Sequence, residues 1–450
     1  MLRIVTLTLL LLCSVEGASR VLVEMGYVGD SIKLSLQLSG SDAPTARDVT
    51  FYYFINGRES TGKAAPVGDD WRYELTLAEK TGRFLVSAFA MYTDVAGLLH
   101  TTAIAREDAT FHSGVSQRMT APEIPSRQIR GAVIFRDDFN SFDRNKWTHE
   151  VSMYGGYNGE FQVYTNDPKN VFAHNGLLYI QPTLTIEDHR FNAQTLHTGV
   201  MDMKAMYGTC TNSDQYGCRR EGKNGILPPV MSGRINSIAS MKYGTVEIRA
   251  KIPLGDWLWP TIWLWPKDSK YGGWPKSGEI DIMESRGNQG PMGIKEITST
   301  LHWGPSPNQN RYSKTHGARQ AANWHSSFHT WKLEWTPTHI RTTCDNQEVL
   351  RVDPGSSFWS YGGFGGNNIW SSGGKMAPFD QEFHMILNVA VGGTNGYFPD
   401  GTYNGKNKPW TNNSPQAMEQ FWNDHNNWHK TWNGHNSALI IDYVEFKSLH

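Results

Sequence analysis

The 450-residue sequence predicts an all-β protein made of two β-sandwiches: a small N-terminal one of immunoglobulin-like type, then a large curved one with a groove on its concave face. Three observations carry this. Apolar and polar residues alternate with period two in many short runs, and helical periodicity is scarce outside Gln416 to Lys430. Glycines number 44, against 17 tryptophans, 18 tyrosines and 19 phenylalanines, which suits turn-rich sheets lined by rings. A chain of this length is expected to hold two domains.

Taken in order, residues 1–18 read as a secretory signal. Arg3 supplies the positive start, Ile4 to Leu12 form an apolar stretch too short to span a bilayer, and Gly17, Ala18 and Ser19 offer a cleavage point. No later segment is apolar enough to anchor the chain, so a secreted, extracellular protein without a membrane anchor is expected. Residues 19–112 carry the alternating runs Ser31 to Leu38, Val49 to Ile55 and Arg83 to Phe89, with turn signals at Gly29-Asp30 and Asn56-Gly57. Runs so short and so spaced predict the immunoglobulin-like sandwich. Its Tyr53, Trp71, Tyr73 and Phe84 suit either a sugar-stacking platform or a core. Residues 113–130, with Pro122 and Pro125, read as a linker. From Gly131 to His450 the strand pattern resumes, for example at Gly244 to Ile252, Met385 to Val391 and Leu439 to Phe446, and predicts the large sandwich.

Charge and cysteines narrow the class. With 42 Lys+Arg against 43 Asp+Glu the net charge is −1, so no nucleic-acid partner is expected. Loss of the signal removes Cys13. Cys210 and Cys218 are close enough to staple a turn in an oxidising compartment, leaving Cys344 as a buried thiol. A glycosylation sequon stands at Asn412-Asn413-Ser414, followed by Pro415. Nothing in the pattern sets an oligomeric state.

Chemistry concentrates at Glu279-Ile-Asp281-Ile-Met-Glu284. Glu279 and Asp281 share a strand face, whereas Glu284 is out of phase. One extra residue at Ile282-Met283, a β-bulge, returns Glu284 to that face. The two glutamates then stand about 13 Å apart at their α-carbons, and inward-leaning side chains bring the carboxyls to the roughly 5–5.5 Å of a retaining glycosidase. Three carboxyls this close do not all ionise cheaply, so one keeps its proton. Tryptophans 257, 259, 263, 265 and 274 crowd the approach. Sugar rings stack on such surfaces, and Trp259, Trp263 and Trp274 are the first candidates for substrate binding.

The run from Tyr271 to Asn288 closely resembles the signature of glycoside hydrolase family 16, laminarinase type. Tyr243 to Pro266, Ser299 to Gly304, Trp331 to Pro337 and Ile386 to Gly393 resemble further blocks of that family, so the likeness covers residues 131–450. It implies a concanavalin-like β-jelly-roll with a long catalytic cleft acting on β-1,3-glucan, and an N-terminal domain in the place of a glucan-binding module. By the same resemblance Glu279 would be the nucleophile, Glu284 the acid/base, and Asp281 the residue that separates their pKa values. His302 would donate a hydrogen bond near the reacting sugar, with Asn158 and Arg249 as further hydroxyl contacts. No cofactor is required for catalysis. A structural calcium ion near Asp138 and Asp442 is implied by relatives that carry one. Invertebrate members divide into endo-1,3-β-glucanases and recognition proteins of innate immunity that lack one or both glutamates. Both are present here, so a secreted, retaining endo-1,3-β-glucanase is expected. The alternative is a non-catalytic recognition protein for β-1,3-glucan and lipopolysaccharide.

Overall fold

The computed structural model describes residues 20–111, apart from short turn segments, and residues 131–449, apart from 291 and 322. The expected signal segment and linker lie outside these residues. Two compact units divide the chain, Met1–Ile124 and Pro125–His450.

In the first unit one sheet runs in the order Arg20–Val28, Ser31–Ser39, Asp70–Thr76, Ala65–Val67. A second runs Arg58–Lys63, Arg47–Ile55, Gly82–Thr93, Leu99–Thr101, with Ala105–Phe111 also paired to Gly82–Thr93. Alternation sends Leu34, Leu36 and Leu38 of one sheet against Phe51, Tyr53, Ala88 and Ala90 of the other, in one core. Three of the four platform candidates serve that core. Tyr53 is buried and its hydroxyl lies 3.3 Å from that of Tyr73, while the Trp71 indole N–H donates to the Ala43 carbonyl at 3.1 Å. The side chain of Phe84 lies outside the described set.

The second unit is a β-jelly-roll sandwich of two antiparallel sheets. One carries Val171–His174, Leu177–Ile180, Leu439–Ser448, Gly244–Lys251, His329–Trp335, Ile340–Cys344 and Gln347–Val352 in that order, with Val133–Asp137 also paired to Leu439–Ser448. The other runs Trp147–His149, Arg234–Met241, Phe383–Val391, Leu258–Pro266, Glu279–Glu284, Glu296–His302, His316–Gln320. Between them Leu258, Ile262, Leu264, Ile280 and Met283 meet Val246, Ile248, Leu333, Val444 and Phe446. Each such side chain contributes about 1.5–3 kcal/mol by leaving water. That burial fixes the register, because a one-residue slip would turn a whole apolar row outward. The opposite face of the seven-stranded sheet is left open, and its polar and aromatic residues form the site.

Candidate functional site

The strand Glu279–Glu284 is bulged. Asp281 lies opposite Thr300 and Glu284 opposite Thr298, so Ile282 and Met283 together face Ser299. On the other neighbour Asp281 lies opposite Trp263 and Met283 opposite Ile262, which marks Ile282 as the extra residue. Both residues of the bulge are buried in the core, and the Ser299 hydroxyl donates to the Ile282 carbonyl at 2.6 Å, holding the kink. The side chain of Glu284 thereby joins those of Glu279 and Asp281 on the open face.

The three acids form one electrostatic unit. Asp281 is buried and in hydrogen-bond contact with Glu279; burial first, then the charges of Glu279 and Glu284, push its pKa well above the ordinary carboxylate value. Burial likewise raises Glu284, opposed by His302 and by the Trp259 N–H, which donates to Glu284 Oε1 at 3.1 Å. The Trp274 N–H donates to Glu279 Oε2 at 2.6 Å. His302 lies opposite Glu279, with its Nε2 3.4 Å from Asp281 Oδ2, a contact outside hydrogen-bond geometry that leaves this buried oxygen without a partner. Asn310, 2.8 Å from His302 Nδ1, and the ring of Tyr312, stacked at 5.4 Å, hold the imidazole in place. The ligand atoms of Glu279, Asp281 and His302 fall within 4.8 Å of one another. A cation needs deprotonated ligands, whereas burial here favours the protonated carboxyl of Asp281. The set therefore suits hydrogen bonding to hydroxyls better than metal binding.

The tryptophans separate into different duties. Trp263 and Trp265 are half-buried on the open face and meet edge to face at 5.8 Å. Trp263 donates to Asn388 at 2.7 Å and carries the guanidinium of Arg234 at 4.9 Å from its ring. Trp274, 39% exposed, stands beside Glu279 with its ring 5.8 Å from that of His302. Trp259 departs from expectation. Its ring is buried and stacks on Tyr397 at 3.8 Å between centroids, so it positions Glu284 and offers no open floor for a sugar. Trp257 turns into the core against Phe398, Tyr403 and Trp410, its φ of 69° breaking the alternation.

Two further expectations are corrected. Arg249 lies on Gly244–Lys251 of the other sheet, between core residues Ile248 and Ala250, and pairs with Asp442; it does not reach the open face. Asp442 and Asp138 are accordingly a poor calcium set. Each carboxylate is engaged by an arginine, Asp138 by Arg136 at 2.6 Å, and among the described residues the close clusters of metal-ligating side chains lie elsewhere. Asn158, expected to contact sugar hydroxyls, has both ends of its amide engaged by protein, donating to Glu160 in its own loop and accepting from Asn395 of the loop after Phe383–Val391, each at 2.9 Å. Cys210 and Cys218 are joined in a disulfide and Cys344 is a buried free thiol. Sequence reasoning missed Asn388, Tyr397 and Arg234, whose guanidinium also donates to the Tyr154 hydroxyl at 2.6 Å. Asn388 had a signal, an amide inside the apolar run Met385 to Val391, and Arg234 is its cross-strand partner.

Comparison with known proteins bears on what this site does. The family model described as glycosyl hydrolases family 16 matches residues 198–361. A Penaeus monodon protein named beta-1,3-glucan-binding protein is 44% identical over 331 residues, 69% of this chain and 89% of its own length. A Hyphantria cunea protein of the same name is 35% identical, covering 71% of this chain and 69% of itself. Gram-negative bacteria-binding protein 3 of Drosophila melanogaster is 29% identical over 93% of this chain and 88% of its length. Among solved structures, the laminarinase from Rhodothermus marinus is 24% identical with a TM-score of 0.46, covering 71% of this chain and 97% of that one. The relatives' names overturn the expectation of an endo-1,3-β-glucanase and favour the recognition alternative. Filled acid positions do not decide between the two, because carboxyls that neutralise on burial also serve to hold sugar hydroxyls. Among the described residues, no helix is long and apolar enough to cross a membrane.

Proposed function

Since the chain belongs to glycosyl hydrolases family 16, we propose that it is a secreted recognition protein that holds β-1,3-glucan on the open face of its seven-stranded sheet without cutting it. The observation that carries this reading is the 44% identity to a protein named for β-1,3-glucan binding. The site chemistry supports it. Trp263 and Trp274 offer ring surface, and the carboxyl of Glu284, biased toward its neutral form by burial, offers an O–H donor to sugar oxygens. Tyr397 stacks on the ring of Trp259 beside Glu284, so that ring is not a free surface for a sugar.

The test is a titration of the full chain with laminarin, followed by calorimetry, with reducing ends assayed in the same samples. Saturable binding with a constant level of reducing ends is the expected result. Absence of binding, or reducing ends that accumulate in proportion to protein, overturns the proposal.

A further inference from the structure

We propose that His329, Cys344 and Asp345 form a binding site for a thiophilic divalent cation, best matched by Zn²⁺, at the end of two strands of the sheet behind the open face. The site goes beyond the glucan reading and does not depend on it.

The strand register brings the three residues together. Trp331 lies opposite Cys344 on the neighbouring strand, so both side chains project to one side, and His329, two residues before Trp331, shares that side. Asp345 opens the turn after Cys344, with a φ of 49°, and its backbone N–H donates to the Thr330 carbonyl at 2.9 Å. One ligand atom from each residue lies within 4.8 Å of the other two. A tetrahedral zinc ion spaces its ligand atoms about 3.3–3.6 Å apart, so small side-chain movements close the three on one ion. The His329–Asp345 contact, 2.6 Å from Nδ1 to Oδ2, opens by less than about 1 Å to reach that spacing.

The surroundings orient these groups as ligands. The other nitrogen of His329, Nε2, lies 3.3 Å from the Ser327 hydroxyl, which leaves Nδ1 to face the cluster. Asp345 Oδ1 accepts from the Thr330 N–H at 2.9 Å, holding the carboxylate while Oδ2 meets the imidazole. Contacts of this kind fix ligands around a metal. The rings of Trp324 and Trp331, 5.0 and 5.8 Å from that of His329, wall the cluster. The Asp345 side chain is 39% exposed, so a cation can enter from solvent and keep a water as its fourth ligand. The guanidinium of Arg319 is taken up by the Cys344 carbonyl at 3.4 Å and by Gln347.

The donor atoms select the cation. Sulfur, imidazole and carboxylate together suit zinc, whereas calcium and magnesium take oxygen. Burial, aided by the charge of Asp345, raises the Cys344 pKa, so the sulfur by itself keeps its proton. A coordinating thiol gives that proton up to solvent, and thiolate and carboxylate then balance the two charges of the ion. Glu279, Asp281 and His302 lack a sulfur and offer no such match.

Cobalt can replace zinc and reports sulfur coordination by its absorption. Co²⁺ titrated into the full chain, first dialysed against a chelator, should give a sulfur-to-cobalt charge-transfer band that saturates at one equivalent and is displaced by Zn²⁺. Cys344→Ala should show no band. Asp345→Asn, at an exposed position, should bind at least about ten-fold more weakly, since even a group that supports a ligand is worth that much. Zn²⁺ should raise the melting temperature of wild type and not that of Cys344→Ala. Absence of the band in wild type, its persistence in Cys344→Ala, or unchanged affinity in Asp345→Asn overturns the proposal. Asp345→Asn decides even if Cys344→Ala fails to fold.

Discussion

The substitution Asp281→Asn should make the protein more stable, by an amount that depends on pH. The wild-type carboxyl is buried, with Oδ2 lacking a hydrogen bond and the charges of Glu279 and Glu284 close by. An unsatisfied buried oxygen costs about 1–3 kcal/mol, and an amide removes the like charge while donating to Glu279. The pH dependence follows from the raised pKa. Between the unfolded value near 3.8 and the higher folded value, the folded state holds more protons than the unfolded one. Stability from this group is therefore full below about pH 3.8 and is lost as pH rises through the folded value. The amide does not titrate and has no such loss. The variant's advantage should be greatest at pH 8, about 2–6 °C in melting temperature for a unit of this size, and should shrink toward pH 4. Paired melting curves at pH 4, 6 and 8 measure it. A variant that melts no higher than wild type at pH 8, or whose advantage grows on acidification, refutes the coupling of the three acids.

Trp263→Ala should weaken laminarin binding by about 2 kcal/mol, near thirty-fold, as for a central aromatic anchor; an unchanged affinity in calorimetry would remove Trp263 from the site. Arg249→Ala should leave laminarin affinity untouched and cost less than about 1 kcal/mol of stability, because its pair with Asp442 is partly exposed on the other sheet; lost affinity would contradict that placement. Asn412 should carry no glycan, since its Nδ2 donates to the Phe398 carbonyl at 3.1 Å and its Oδ1 accepts from buried Lys408 at 2.6 Å; a sugar on that residue in peptide mapping would contradict this.

How much of the site could be read in advance depended on whether its cause was local. The bulge was legible because five residues separate Glu279 from Glu284, and period two cannot place both on one face without an insertion. The division between Trp259 and Trp263 was not legible. Both alternate onto the same face, and the difference comes from Tyr397, on a loop far along the chain that covers one ring and leaves the other. Arg249 failed for a related reason. Alternation shows that a residue points away from the core, but not which of the two sheets it belongs to, and Gly244–Lys251 lies in the sheet behind the site. The strands of the sheet behind the site followed from runs such as Leu439 to Phe446. The pairing of Arg234 with Asn388 joins segments far apart in sequence and appears only with the register.

The most direct test is a crystal structure of the full chain grown with laminarihexaose. An unbroken chain lying over Trp263, with its bonds intact, is expected. Sugar bound to the Gly244–Lys251 sheet, or cleaved glucan beside Glu279, would contradict it.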